Sequence, residues 1–167
     1  MLSLKYEFCL KWIDNLLKNN LCVIISNNMD YAKLRNHYCT DKYDVYVDKF
    51  LPQQYILSNS DLFISSAGQN SILEAIYHMV PILAMPITSE QKLNGLIIDE
   101  KGIGLTTYRQ RSKYKTYGKL VNELLYDKKF KENIKILNSD LINGKSDYNL
   151  ILDYVRKRKE KIKDFYI

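Results

Sequence analysis

The sequence has few of the features that define several large classes of protein. Its three cysteines, Cys9, Cys22 and Cys39, are an odd number without a Cys-x-x-Cys pair, so neither a disulfide framework nor a zinc site is indicated. No Asp-x-Asp pair and no cluster of His and Cys suggests another metal site. No apolar run approaches the roughly eighteen residues of a membrane span, and the amino end lacks the pattern of a signal peptide. The composition therefore predicts a soluble, cytoplasmic, metal-free chain of 167 residues forming a single domain.

The charge balance is basic but dispersed. The chain has 25 Lys and Arg against 19 Asp and Glu, a formal net charge of +6. The one dense basic cluster lies at residues 156–163, where it fits a solvated helix end that complements the negative pole of the helix dipole. The alternative for this cluster is a membrane surface or a partner. Because the other basic residues are scattered, nucleic acid is not an expected partner.

Apolar periodicity predicts alternating helices and strands over the first two thirds of the chain. The run at residues 21–26 is continuous and rich in branched side chains, which predicts a strand buried on both faces. This alternation predicts an α/β fold with a doubly wound parallel sheet. The predicted strands are at residues 21–26, 45–50, 62–65, 82–85 and 105–107, and the predicted helices are at residues 4–19, 30–38, 52–58, 70–77, 89–101, 112–125, 128–141 and 147–163.

The stretch from Phe50 to Gln91 is the most informative part of the sequence. It reads Phe-Leu-Pro-Gln at 50–53, Asp-Leu-Phe-Ile-Ser-Ser-Ala-Gly-Gln-Asn-Ser-Ile-Leu-Glu-Ala at 61–75, Val-Pro at 80–81 and Pro-Ile-Thr-Ser-Glu-Gln at 86–91. An apolar strand enters a turn of small residues, a helix follows, and a second apolar strand ends near an acid-amide pair. This order is typical of an anion and sugar site at the carboxyl edge of parallel strands.

These residues resemble the donor-binding signature of the UDP-glycosyltransferases, the glucuronosyl- and glucosyltransferases that use UDP-sugars. The signature reads aromatic-x-Pro-Gln, Phe-x-Thr-His-x-Gly-x-Asn-Ser-x-x-Glu-Ala, Val-Pro and Pro-x-x-x-Asp-Gln, and residues 50–91 follow it in order. The resemblance implies a Rossmann-like sheet, the C-terminal half of a GT-B glycosyltransferase. It also implies an inverting, metal-independent transfer of a glucosyl or glucuronosyl group, with the UDP-sugar as co-substrate and no further cofactor.

The resemblance places the diphosphate at the start of the helix predicted at 70–77. Gly68 would keep a Cβ away from the ligand, and Asn70 and Ser71 would add side-chain donors to the free backbone N–H groups. The alternative is a plain helix start that Asn70 or Ser71 caps.

Three further residues match positions that hold the nucleoside. Glu74 matches the acid that accepts hydrogen bonds from both ribose hydroxyls, and its alternative is a capping box with Ser71. Phe50 matches the aromatic residue that stacks on uracil, and its alternative is the core end of a strand. Gln53 matches a glutamine near the nucleoside.

Glu90 and Gln91 match the Asp-Gln pair that holds sugar hydroxyls. A carboxylate and an amide together accept and donate hydrogen bonds, as a polyol requires. Glutamate has a longer reach than aspartate, which allows a different sugar or a different sugar position. The alternative is that Thr88 or Ser89 caps a helix and Glu90 interacts only with its positive end.

Three residues depart from the family pattern, and a histidine lies beside one of them. Ser66 stands where the family has His, and a hydroxyl that is never cationic should stabilise the leaving group less. Ala67 replaces Gly or Cys, which is a mild change. Met79 replaces a Gly and should affect only its turn, and His78 beside it is interpreted as structural.

The resemblance also implies a first strand and an amino-terminal domain for which residues 1–167 show no matching segment. Relatives open this half with an additional strand, and their amino-terminal domain carries the acceptor site and a catalytic His-Asp pair. We therefore expect residues 1–167 to form a donor-binding domain without catalytic residues, inactive alone, with an acceptor-domain chain as its partner and membrane association only through that partner.

Two other functions remain open from the sequence. One is the soluble subunit of a two-part N-acetylglucosaminyltransferase, which also lacks an acceptor domain. The aromatic-x-Pro-Gln element argues against it. The other is a decayed, non-catalytic module that binds a nucleotide or a partner, which the serine at position 66 favours.

Overall fold

The structure is a computed structural model that describes residues 6–18, 20–26, 30–40, 42–107 and 117–143. Twelve elements lie in these ranges. The predicted helix at 147–163, the basic cluster at 156–163 and the first residues of the helix predicted at 112–125 lie outside them. The elements are α1 (Tyr6–Leu17), β1 (Val23–Ser26), α2 (Tyr31–Tyr38), β2 (Val45–Asp48), α3 (Gln53–Leu57), β3 (Phe63–Ser65), α4 (Gln69–Tyr77), β4 (Ile82–Ala84), α5 (Ser89–Glu100), β5 (Gly104–Thr106), α6 (Tyr117–Tyr126) and α7 (Lys128–Ile142).

All the described strand pairs are parallel. β1 pairs with β2, and Val23 lies opposite Val45. β4 lies between β3 and β5, so that Ile82 is flanked by Phe63 and Gly104. The two ladders form separate hydrogen-bonded sheets within the described residues. The predicted α/β architecture with parallel strands is confirmed.

The core lies on both faces of β4, whose three residues are fully buried. Ile82 and Ala84 pack with buried side chains of α4, α5 and α7. Leu83 points to the other face and packs with those of α1 and α6 and with Phe130 near the start of α7. Successive strand residues alternate between faces, so this segregation places helices on both sides of the sheet, as a doubly wound fold requires.

The prediction that residues 21–26 form a strand buried on both faces is wrong. Val23 and Ile25 of β1 pack in a cluster with residues of α1, α2 and β2, but Ile24 on the opposite face is 46% exposed. Its neighbour on β2, Tyr46, is 54% exposed. The described helices cover this ladder on one face only, and coverage by helices cannot be read from a local apolar run.

The carboxyl end of α4 has a left-handed residue just after it and a buried hydrogen-bond donor from α7. Met79, in the turn to β4, has a left-handed backbone with φ of 58°, a conformation that favours glycine. The expectation that Met79 lies in a turn is thereby confirmed. Asn138 of α7 is buried, and its amide donates to the carbonyl oxygens of Ile76 and Tyr77 at 3.0 Å each.

Within the described ranges, no helix combines the length and the apolar character needed to cross a membrane.

Candidate functional site

The turn from Ser66 to Gly68 joins β3 to α4 at the carboxyl edge of the sheet. Ala67 at its centre is fully buried and has a left-handed φ of 64°. Its N–H donates to Ser65 Oγ at 3.2 Å, and its carbonyl accepts from Asn94 Nδ2 at 2.9 Å. These two bonds hold a backbone conformation that costs alanine about 1–2 kcal/mol, so the shape of the turn is set by its surroundings.

The amino terminus of α4 has no side-chain cap. Gly68 is the N-cap residue in an extended conformation, and a Cβ built there would meet nothing within 4 Å. The alternative in which Asn70 or Ser71 caps this helix is therefore wrong, because both residues lie inside it. No side chain caps the first N–H groups of α4, and these groups together with the positive end of the helix dipole suit an anion.

Glu74 lies one turn further along α4 and is not used for capping. A capping box would need Ser71 as the N-cap residue, but α4 begins at Gln69, so that alternative is wrong. The Glu74 carboxylate instead accepts a hydrogen bond from Gln53 Nε2 at 2.5 Å. The same amide nitrogen lies 3.5 Å from Ser71 Oγ. The structure thus brings three of the predicted site residues together.

The Phe50 side chain lies outside the hydrophobic core. β2 ends at Asp48, and the Phe50 ring is 79% exposed, so the alternative in which Phe50 ends a buried strand is wrong. Phe50 precedes α3, whose first residue is Gln53. An exposed aromatic ring a few residues from this amide is available for stacking.

Thr88 caps the start of α5, as the sequence allowed as an alternative, and the cap is a capping box with Gln91. Thr88 is the N-cap residue, and its Oγ1 accepts from the Gln91 N–H at 3.3 Å. In return, Gln91 Oε1 accepts from the N–H groups of Thr88, at 3.1 Å, and Ile87, at 2.9 Å. Glu90 is exposed in the first turn. Capping by Thr88 leaves the Glu90 carboxylate accessible to a ligand.

Two amides of α5 contact the turn between β3 and α4. Gln91 Nε2 lies 3.4 Å from Ser66 Oγ, and Asn94 donates to the next residue, Ala67. Asn94 was missed by the sequence reasoning. Its one available signal is its place a helical turn after Gln91, on the same face of α5.

The predicted site residues therefore form two contacting groups with the α4 amino terminus between them. One group is Gln53, Ser71 and Glu74, and the other is Ser66 and Gln91. Phe50 precedes α3 and Glu90 lies in the first turn of α5, and both side chains are exposed. In the described part of the chain, no three His, Cys, Asp or Glu side chains group as metal ligands.

Solved glycosyltransferases have this fold. The glycotransferase of kitacinnamycin matches with a TM-score of 0.72 and 19% identity, over 85% of this chain and 37% of its own. Os79 from O. sativa, in complex with U2F and trichothecene, matches with a TM-score of 0.70 and 19% identity, over 84% of this chain and 34% of its own. These identities show the fold alone, which is the Rossmann-like fold of the GT-B glycosyltransferases.

Sequence comparison shows the family. The family described as UDP-glucoronosyl and UDP-glucosyl transferase matches residues 32–143, more than half of the chain, and the chain belongs to it. Human UDP-glucuronosyltransferase 3A2 is 31% identical over 90 residues, 53% of this chain and 17% of its own length. A UDP-glycosyltransferase of Talaromyces amestolkiae is 38% identical over 63 residues, 36% of this chain and 12% of its own length. The chain spans less than a fifth of either relative.

Proposed function

We propose that this chain binds the donor of a glycosyl transfer, a UDP-sugar, at the amino terminus of α4. The observation that carries this proposal is the combination of an uncapped helix start with a carboxylate, Glu74, that no capping box uses. Backbone N–H groups at a helix start bind phosphate, and a carboxylate about one turn further along the helix can accept hydrogen bonds from hydroxyl groups. Membership of the family supports the same ligand.

Each predicted residue has a role in this proposal. Glu74 accepts from the ribose hydroxyls, and the exposed Phe50 ring stacks on uracil. Gly68, Asn70 and Ser71 surround the diphosphate. Os79 from O. sativa has been solved in complex with UDP, and VinC in complex with DTDP, so proteins of this fold hold nucleoside diphosphates.

The sugar would lie between the two groups, near Glu90 and Ser66. Glu90 accepts from its hydroxyls, and Gln91, already engaged in capping, contributes the Nε2 group that now faces Ser66. The donated group is a hexosyl group, glucosyl or glucuronosyl, transferred with inversion and without a metal ion. In that reaction an acceptor oxygen attacks the anomeric carbon, the bond to the diphosphate oxygen breaks, and the N–H groups of α4 stabilise the departing UDP.

The base that takes the acceptor proton belongs to an acceptor-binding chain in this proposal. His78 is the C-cap residue of α4, at the end of that helix away from the proposed phosphate site, and its Nε2 lies 3.0 Å from Gln54 Oε1. A helix of this length separates its ends by about 13 Å, which is too far for general-base catalysis at the donor. We expect no sugar transfer by this chain alone.

A calorimetric titration tests the proposal. UDP, UDP-glucose, UDP-glucuronate and UDP-N-acetylglucosamine are titrated separately into the purified chain. We expect UDP to bind with a dissociation constant between micromolar and millimolar, about 4–8 kcal/mol. Differences among the three UDP-sugars then report whether the site distinguishes one sugar from another. The absence of any heat with millimolar UDP would contradict the proposed site.

A further inference from the structure

In the described part of the chain, β1 and β3 each have one edge that pairs with no other strand. β1 pairs with β2, and β3 pairs with β4. The Val23 N–H donates to the residue just before β2, and the Phe63 N–H donates to the residue just before β4. Because successive residues of a strand point their backbone groups to opposite sides, the N–H and carbonyl groups of Ile24 and Ile64 lie on the free edges.

The two free edges lie in one layer of the fold. Val23 of β1 and Ile64 of β3 pack against the same buried cluster, which includes Trp12 of α1. Ile13 of the same helix belongs to the cluster that packs on β1 and β2, so α1 crosses both ladders. Neighbouring strands lie about 4.8 Å apart, and at that spacing the two edges would be bonded to each other. A wider gap therefore separates β1 from β3.

Neither free edge is protected against another strand. Natural edge strands carry charges, prolines or bulges that prevent further pairing, or are covered by another element. β1 reads Val-Ile-Ile-Ser and β3 reads Phe-Ile-Ser, without a charge or a proline. The two outer strands differ, because β2 contains Asp48 and the outward N–H of Thr106 in β5 donates to the Asp99 carboxylate at 2.9 Å. The unprotected edges are those that border the gap, as expected where a further strand belongs.

A buried donor in the shared cluster also lacks a partner. The Trp12 side chain is 7% exposed and stacks on Tyr117 with ring centroids 5.0 Å apart. Its Nε1 is buried, and no acceptor for it lies in the described part of the chain. Buried indole N–H groups usually have an acceptor. The cluster beside both ladders therefore offers a donor to a segment that enters between them.

We propose that β1 and β3 form a strand-acceptor gap, which binds an extended segment of a partner polypeptide through backbone hydrogen bonds to both edges. Backbone donors and acceptors on both sides require an extended chain, since a helix bonds its own backbone groups internally. The apolar cluster that borders the gap requires branched apolar side chains on the face towards α1. The inference goes beyond the proposed function, because the ligand is a polypeptide and binds away from the start of α4.

A synthetic strand tests the gap directly. The probe is a capped peptide of about six residues, the usual strand length, with valine and isoleucine inside and a lysine at each end. Two analogues carry N-methyl groups on alternate residues, so that each analogue loses the N–H groups of one edge only. Binding to the full, isotopically labelled chain is followed by NMR. We expect a dissociation constant below about 1 mM, and a loss of at least about tenfold for each analogue because both edges are used.

Hydrogen exchange identifies the amides that pair with the peptide. On binding, the amides of Ile24 and Ile64 should exchange at least about tenfold more slowly, whereas that of Val47, which points away from β1, should be unchanged.

Two variants at one edge position provide a matched comparison, with thermal melting as the check on folding. Ile24→Pro removes a free-edge N–H that makes no bond to β2, and should weaken peptide binding at least about tenfold. Ile24→Val keeps both the N–H and a branched side chain, and should bind the peptide within about twofold of the parent.

Three results would overturn the inference. The first is the absence of binding with millimolar peptide. The second is equal affinity for the unmodified peptide and one methylated analogue, because the peptide would then lie on a single edge. The third is exchange at Ile24 and Ile64 that slows as the concentration of the chain alone rises, because a second copy would then fill the gap. Titration of the same chain with UDP decides the proposed function separately.

Discussion

At the scale of single residues, the side chains available to a ligand are those that do not already cap a helix. Thr88 and Gln91 form a capping box, whereas Ser71 and Glu74, which have the same spacing and suitable residue types, do not. The difference arises because α4 begins at Gln69, and its N-cap residue, Gly68, has no side chain that could accept a hydrogen bond. The sequence allowed a capping box of Ser71 and Glu74 at α4 and a cap by Thr88 or Ser89 at α5 as alternatives, and only the exact start of each helix decides between them and the ligand roles.

Glu74→Gln tests the role of this carboxylate directly. UDP affinity should fall about tenfold or more, because hydrogen bonds to a charged acceptor contribute about 1.5–3 kcal/mol. The free energy of unfolding should change by less than about 0.5 kcal/mol, since Glu74 caps nothing. Titration and urea unfolding on the same preparation measure both, with Glu100→Gln, on the exposed last turn of α5, as the control. Unchanged UDP affinity would remove Glu74 from the site.

Ser66→His tests the departure from the family pattern. Ser66 is exposed in the turn before α4, so an imidazole fits there without displacing the core. A histidine with an ordinary pKa of about 6.5 becomes cationic below that pH and then attracts the diphosphate. Between pH 7.5 and 5.5, UDP affinity of the variant should improve by about two- to fivefold relative to the parent. A parallel pH dependence in both proteins would place residue 66 away from the phosphates.

At the scale of elements, α7 and the turn after α4 determine how firmly the site helix is held. The predicted helix at 128–141 is confirmed as Lys128–Ile142. Its buried Asn138 could not have been assigned a partner from the sequence, because the two carbonyls that it binds lie about sixty residues earlier. Asn94 was missed because its partner, the carbonyl of Ala67, lies 27 residues earlier, although its place one turn after Gln91 is a local signal. Such contacts follow from tertiary packing, and the local sequence does not identify the partner.

Asn138→Leu removes the buried amide while keeping a similar side-chain size. The carbonyls of Ile76 and Tyr77 lose the donor that the buried Asn138 side chain provides, so the variant should be about 1–3 kcal/mol less stable. Urea unfolding followed by circular dichroism measures this. Ser139→Ala, next to it on the exposed side of α7, should cost much less. Equal effects of the two substitutions would show that the amide contributes little.

Met79→Gly should stabilise the protein. A left-handed residue other than glycine costs about 1–2 kcal/mol, whereas glycine brings an entropic cost of about 0.5–1 kcal/mol. Because the Met79 side chain is half-exposed, little packing is lost, and a net gain of about 0.5–1 kcal/mol is expected. Thermal melting measures it. Lys135→Gly in the middle of α7 should have the opposite sign. A destabilised Met79→Gly variant would mean that the methionine packing outweighs the backbone term.

At the scale of the whole molecule, the order of the helices and strands was predictable from the sequence, but the burial of each strand face was less predictable. Periodicity placed every described helix and strand in the correct order, because apolar spacing reflects the core that each element faces. The exposed face of β1 and β2 was not predicted, since burial depends on which helices cover a ladder. The sequence of residues 50–91 predicted the family, which the comparisons confirm. The roles of its individual residues remain a proposal.

The central claim is that a nucleoside diphosphate binds at the amino terminus of α4. Backbone amide chemical shifts of the isotopically labelled chain, recorded during a titration with UDP, test it most directly, because they report each residue separately. The largest changes should occur at Gly68, Gln69, Asn70 and Ser71, and the amides of α7 should remain nearly unchanged. Absence of shifts at millimolar UDP, or shifts confined to residues away from the start of α4, would contradict the account.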